Sequence, residues 1–197
     1  MTANDKAYDI VALAASAGGV TALLRVLSPL PQDFPAAIAV VLHLDPRHRS
    51  LMAEILSRRT ALRVEQAKDG DRLLPGTVHI APPDRHLLVC ADGTLSLTSS
   101  ELVHFVRPSA DLLFESVAAS HQERAIAVVL TGTGKDGAIG VRAIKKLGGT
   151  VIAQSRESCE FSGMPDAAIE TGDTDFILDL DEIPSALLSL VIGGAIS

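Results

Sequence analysis

DIVALAASAGGVTAL, residues 9–23, decides the fold. Asp9 to Ala14 opens a continuous apolar run, Ala15-Ser16-Ala17-Gly18-Gly19 is a turn, and Val20 to Leu27 takes up helical spacing. The order is strand, tight loop, helix. A strand apolar at successive positions is buried on both faces, the situation of a parallel sheet between helix layers.

The same grammar recurs on either side. Ala36 to Leu42 contains AIAVVL and leads through a polar loop, His43 to Arg49, into an amphipathic helix from Leu51 to Arg59. Ala125 to Leu130 is AIAVVL again; it runs through Thr131-Gly132-Thr133-Gly134 into a helix from Asp136 to Leu147, and Thr150 to Ala153 follows as a strand. The expected fold is α/β: a doubly wound, mostly parallel sheet with helices on both faces. A different piece lies between, made of Thr77 to Ala81, His86 to Cys90 and Thr94 to Thr98, with Asp92-Gly93 as a hairpin turn. This predicts an antiparallel β-hairpin excursion. Ser109 is placed to cap a helix that turns Leu112, Leu113 and Val117 inward, and Asp181 to cap a last amphipathic helix ending at Ile192. The expectation is a single domain over 1–197, with 1–7 a flexible N-terminal segment.

The chain has 197 residues, 17 of them basic and 24 acidic, so its formal charge is −7. That balance speaks against a general nucleic-acid binder, which needs a basic surface. Hydrophobic residues make up 47% with one Tyr, five Phe and no Trp, so the core must be built from Ala, Val, Leu and Ile. Cys90 and Cys159 read as small hydrophobes rather than a disulfide framework. No apolar run of about 18 residues is present to span a bilayer, and MTANDKAYDI lacks a signal-like start. The expected location is cytoplasmic, without direct membrane insertion. The six His (43, 48, 79, 86, 104, 121) form no zinc-type spacing, so no metal is expected.

In an open parallel sheet ligands meet the loops at the carboxyl ends of strands. Three such loops carry reactive side chains: Ser16, His43 and Asp136. Nucleophile, base and orienter on separate strand ends suit acyl transfer. Each has a plainer reading. Ser16 can be a helix cap or phosphate contact, His43 a satisfied buried imidazole, and Asp136 an N-cap or first-turn acid. His48, beside Arg47 and Arg49, reads as solvated, and His86 as shaping a loop. G-x-G-x-x-G, G-x-x-x-x-G-K-[ST] and G-x-S-x-G are absent, which leaves a nucleotide module on the Gly18-Gly19 loop without a fingerprint.

Six blocks occur in order: DIVALAASAGGVTAL, VVLHLDPRH, HIAPPDRHLLV, HFVRPSADLLFESVA, VVLTGTGKDGAIGV and TVIAQSRESCEFSGMPDAAIETG. Together they resemble the catalytic domain of bacterial chemotaxis protein-glutamate methylesterases of the CheB type, over residues 8 to 192. The resemblance implies a Ser-His-Asp triad at Ser16, His43 and Asp136, and hydrolysis of glutamyl methyl esters on chemoreceptors with glutamine deamidation as a second activity. It also implies no cofactor, and methylated chemoreceptor cytoplasmic helices as the partner.

Ala17 stands where the family often has Thr, and Thr133 where Met is frequent. The expected oxyanion and substrate contacts are Ala17, Gly18, Thr133 and Arg107, with Arg47, Arg49 and Lys135 as further cations near the loops. About eight residues precede the first strand, so the expectation is a stand-alone catalytic domain, either governed by a separate regulatory protein or always active. The alternative is a non-catalytic signalling or scaffold module that retains the methylesterase fold.

Overall fold

A computed structural model describes residues 8–43 and 51–193. Its elements in chain order are β1 (Ile10–Ala15), α1 (Gly19–Leu27), β2 (Ala37–Leu42), α2 (Met52–Ser57), β3 (Arg63–Gln66), β4 (Thr77–Ile80), β5 (His86–Val89), β6 (Leu95–Thr98), α3 (Ala110–His121), β7 (Ala125–Val129), α4 (Ala138–Lys146), β8 (Thr150–Gln154), α5 (Gly163–Glu170), β9 (Phe176–Leu178) and α6 (Ile183–Ile192). The main sheet has 7 strands in the order β3-β4-β2-β1-β7-β8-β9. Every neighbouring pair in it is parallel. After β1 the chain fills one side of the sheet and then, from β7, the other. The end of β1 is therefore the topological switch point, where a cleft opens between diverging loops.

The alternation of side chains along the strands divides the core in two. Val11, Leu13, Ile38, Val40, Ile126 and Val128 face α1, α2 and α6. Ala12, Ala14, Ala39, Ala125 and Ala127 face α3, α4 and α5. The second face is made largely of alanines, which lets its helices approach closely. Gly140 shows how close: a Cβ there would lie 2.5 Å from Phe114 Cβ and 3.0 Å from the Asp111 carbonyl. The central strands β2, β1, β7 and β8 and the helices α1, α3 and α4 lie where the sequence pattern puts them.

Some expectations are corrected. Thr77–Ile80 does not belong to the antiparallel excursion; it pairs in parallel with β2 and β3, and the hairpin is β5 and β6 alone. The strands β3 and β9 and the helix α5 carry no strong periodic signal, being 4, 3 and 8 residues long. Glu182, not Asp181, holds the cap position of α6 and makes no side-chain cap bond there, while Asp181 pairs with Arg25 instead. Leu112 is only partly buried, and Phe114 takes the inward place beside Leu113 and Val117. Arg47, His48 and Arg49 lie outside the described residues. Cys90 and Cys159 are half-buried, and burial pushes the Cys159 thiol up to about 11. Among the described residues no helix is long and apolar enough to cross a membrane.

Candidate active site

Register brings the reactive loops together. Ala15 pairs with Leu42, and the His43 N–H donates to the Ala15 carbonyl at 3.1 Å. Continuing that register by one residue sets Ser16 opposite His43, since neighbouring strands are about 4.8 Å apart. On the other side of β1 the Ser16 N–H donates to the Thr131 carbonyl at 3.0 Å. The loops after β1, β2 and β7 thus lie side by side at one rim.

The loop after β1 must turn within three residues, and Gly18 supplies the turn with φ +76. A Cβ there would also meet Glu160 Oε2 at 2.8 Å. Gly19 donates to the Ser16 carbonyl at 2.8 Å and begins α1. The Thr131 hydroxyl ties this loop to the next segment: it lies 3.1 Å from the carbonyls of both Ala17 and Phe161 and accepts from the Phe161 N–H at 2.9 Å. Gln154 takes the Thr131 N–H at 2.8 Å, and its own amide donates to the Ser158 carbonyl at 2.8 Å. Beside Ser16, Gly132 has no room for a side chain: a Cβ would sit 2.4 Å from Met164 Sδ and 2.8 Å from Ser16 Cβ.

The Ser16 hydroxyl has no hydrogen-bond partner among the described residues, and neither do the N–H groups of Ala17, Gly18 and Thr133. Unpaired donors beside a free hydroxyl are what an oxyanion site requires. A small pocket of about 150 Å³ opens next to Gly18 and Thr131.

Asp136 is treated oppositely. It is 3% exposed, and it accepts from His43 Nε2 at 2.8 Å, Ala110 N–H at 2.6 Å, Ser109 Oγ at 2.8 Å and Asp111 N–H at 3.1 Å. The plainer reading of Asp136 as an N-cap or first-turn acid of its own helix does not hold, because α4 begins at Ala138 with Gly137 in the cap position. Its carboxylate lies instead on the free amides at the start of α3, where the helix dipole favours an anion. Burial alone would raise its pKa; the hydrogen bonds from His43, Ala110 and Asp111 outweigh that and hold it below the usual carboxylate value. The carboxylate is therefore charged and stationary. With Nε2 donating to it, the His43 ring keeps the Nδ1 lone pair as its basic site.

The exchange is reciprocal. Asp111, in the first turn of α3, accepts from Gly137 and Gly140 N–H at 2.9 and 2.8 Å, so each helix start is held by an acid from the other's neighbourhood. His104 Nε2 lies 3.1 Å from Asp111 Oδ2. Burial pushes the Asp111 carboxyl up; the Gly140 N–H pulls it back, the Asp136 charge pushes it further, and it stays above the usual range. Ser109 caps α3 as expected, accepting from Leu112 N–H at 3.5 Å, while its hydroxyl hydrogen goes to Asp136.

Sequence reasoning did not single out Asp111, Thr131, Gln154 or Met164, although all lie within the six quoted blocks or at their edges. Their roles depend on partners 23 or more residues away. Arg107 is engaged inside the molecule. Its Nε and Nη2 donate to Asp84 Oδ1 at 2.8 and 2.5 Å, and its Nη1 to the carbonyls of Ser99 and Ser100. His86 is fully buried, receiving the Ser109 N–H on Nδ1 at 3.1 Å and bonding the Glu101 carbonyl through Nε2 at 3.0 Å. Among the described residues no group of three or more His, Cys, Asp and Glu is arranged to hold a metal.

Comparison with known proteins adds independent findings. The family described as CheB methylesterase matches residues 11–187. A protein-glutamate methylesterase/protein-glutamine glutaminase of Thermotoga maritima is 40% identical over 185 residues, 92% of this chain and 54% of that protein. The protein-glutamate methylesterase FrzG of Myxococcus xanthus is 42% identical over 93% of this chain and 55% of its own length. The chain thus spans about half the length of these relatives. A putative protein-glutamate methylesterase/protein-glutamine glutaminase of Leptospira interrogans is 34% identical and is spanned over 95% of its length. The crystal structure of the Thermotoga maritima CheB methylesterase catalytic domain superposes with TM-score 0.90 at 39% identity, covering 94% of this chain and all of that one.

Proposed function

The chain belongs to the CheB methylesterase family, and from that premise we propose that it hydrolyses glutamyl methyl esters on chemoreceptors, with Ser16, His43 and Asp136 as its triad. The observation that supports the triad is the His43–Asp136 contact of 2.8 Å beside a serine whose hydroxyl has no partner among the described residues. A charged, immobile carboxylate fixes the imidazole's orientation and tautomer, which is the third member's task in acyl transfer.

In this reading His43 Nδ1 takes the Ser16 proton as Oγ attacks the ester carbonyl. The negative charge on the carbonyl oxygen is received by the unpaired N–H groups of Ala17, Gly18 and Thr133. His43, now protonated and stabilised by Asp136, gives its proton to the departing methoxide, and methanol leaves. Water then donates a proton to the same imidazole, attacks the acyl-serine, and releases the glutamate carboxylate and Ser16. Each turnover converts one ester and one water into one carboxylate, one methanol and one proton. A glutamine side chain enters the same cycle with ammonia as leaving group. Ala17 contributes its backbone only, so the loop works without the hydroxyl a threonine would bring.

A substrate of this kind places the protein on the cytoplasmic helices of receptors. The test is methanol release from a methylated receptor: Ser16→Ala is expected to lower the rate at least about 10³-fold. Undiminished release from that variant would remove Ser16 from the chemistry.

A further inference from the structure

The rim that carries Ser16 continues past His43 to the ends of β4 and β3, and there it opens into a groove of about 700 Å³ whose lining includes Gln66, Lys68, Asp69, Pro82, Pro83, Arg85 and Leu97. Nothing in the chemistry above uses it. β2 alone separates β1 from β4, so the groove begins two strand spacings from Ser16 and ends three away, about 10–14 Å along the edge. A ligand held there and attacked at Ser16 must be a polymer, because a methyl ester and its own residue span only a fraction of that distance.

The charges of the groove are not balanced internally. Lys68 and Arg85 are exposed, and their side chains make no hydrogen bond or ion pair among the described residues. The two acids nearest them in sequence are already occupied. Asp69 accepts the Leu97 N–H at 2.9 Å, and Asp84 is held by the Arg107 guanidinium. With two cations against the single Asp69 carboxylate in its lining, the groove is a locally positive site in a chain of formal charge −7.

We infer that this groove is a substrate subsite for an acidic stretch of the polypeptide that carries the ester, with Lys68 and Arg85 receiving its carboxylates and Pro82, Pro83 and Leu97 its aliphatic parts. The inference rests on the esterase reading for the position of the reacting residue. It adds a recognition element that a small ester does not meet. For a helical substrate the offset corresponds to about 7–10 residues from the target glutamate. Screening by salt weakens such exposed contacts, so the preference is strongest at low ionic strength.

The test uses the full chain with Ser16→Ala, so that binding is read without turnover. Two labelled helical peptides each carry one γ-methyl glutamate; one has Glu and the other Gln at positions about 7–10 residues away on both sides. Fluorescence anisotropy at low salt is expected to give about tenfold tighter binding of the Glu peptide. The double variant Lys68→Glu, Arg85→Glu is expected to abolish or invert that preference. General structural damage would weaken both peptides alike and leave their ratio standing. Equal binding of the two peptides, or a preference that survives the double reversal, overturns the inference. Charge-dependent binding by a protein that releases no methanol with Ser16 restored would uphold the groove and strike the esterase reading alone.

Discussion

The two sides of the proposed triad are built on opposite principles. Around Asp136 every hydrogen-bonding site is taken: four donors converge on a carboxylate that is 3% exposed, and two helix starts are locked to each other through Asp136 and Asp111. Around Ser16 the hydroxyl and three backbone N–H groups have no partner among the described residues, and the loop is held from behind by Thr131, Gln154 and the close contact of Gly132 with Met164. The difference is the division of labour that the proposed hydrolysis needs. The group that only orients loses its freedom to neighbours, while the groups that meet the developing charge keep theirs for the substrate. Preorganisation is supplied by the first side and capacity by the second.

The sharpest break of that contrast is Asp136→Asn. It keeps the shape but offers His43 an amide that can donate, inviting the wrong tautomer; kcat/KM for ester hydrolysis is expected to fall about 10⁴-fold. A loss under tenfold would show that His43 needs no fixed partner. Next is Gly132→Ala, whose added methyl meets Met164 Sδ at 2.4 Å and Ser16 Cβ at 2.8 Å. A stability cost of about 1–3 kcal/mol is expected from overpacking, together with reduced turnover. If Met164 is the obstacle, Met164→Ala in the same chain restores part of both, and a double-mutant cycle over melting and kcat reads the coupling.

The two buried acids predict opposite pH behaviour. Asp136 has a lowered pKa, so it contributes stability above its unfolded value that is lost as pH falls through the folded one. Asp111 has a raised pKa, so its ionisation costs stability as pH rises from the unfolded value through the folded one. In denaturation series, the penalty of Asp136→Asn should shrink toward acid. The balance of Asp111→Asn against the native chain should improve as pH rises from about 4 to 7, the range above an ordinary carboxylate pKa. Parallel pH trends for the two variants would contradict the reciprocal arrangement.

The smallest effect is expected at Arg107, where the sequence reading placed a substrate contact. If the guanidinium acts through Asp84 and the 99–100 carbonyls, Arg107→Ala and Asp84→Asn weaken peptide-ester hydrolysis to a similar degree, within about threefold for a pair whose Asp84 carboxylate is exposed. A much larger rise in KM for Arg107→Ala alone would return it to the substrate side.

How much of this was legible can be traced residue by residue. The strands β1, β2, β7 and β8 and the loops bearing Ser16, His43 and Asp136 could be read because apolar periodicity and glycine turns are local properties. The strand β4 was misassigned: TVHI looks like its hairpin neighbours, and only pairing with β2 distinguishes it. The role of Asp136 at a foreign helix start was likewise hidden, since an acid before a helix reads as that helix's own cap.

The sequence by itself determined the alternation of buried strands with helices, the glycine-bearing turn that exposes Ser16, and the order in which serine, imidazole and carboxylate follow one another. Tertiary structure alone decided their partners. Asp136 meets Ala110 across 26 residues, Gly137 meets Asp111 across 26, and Arg107 meets Asp84 across 23. Backbone conformation follows from neighbours a few residues apart, whereas a polar side chain's partner follows from which elements the alanine face of the sheet allows to come close.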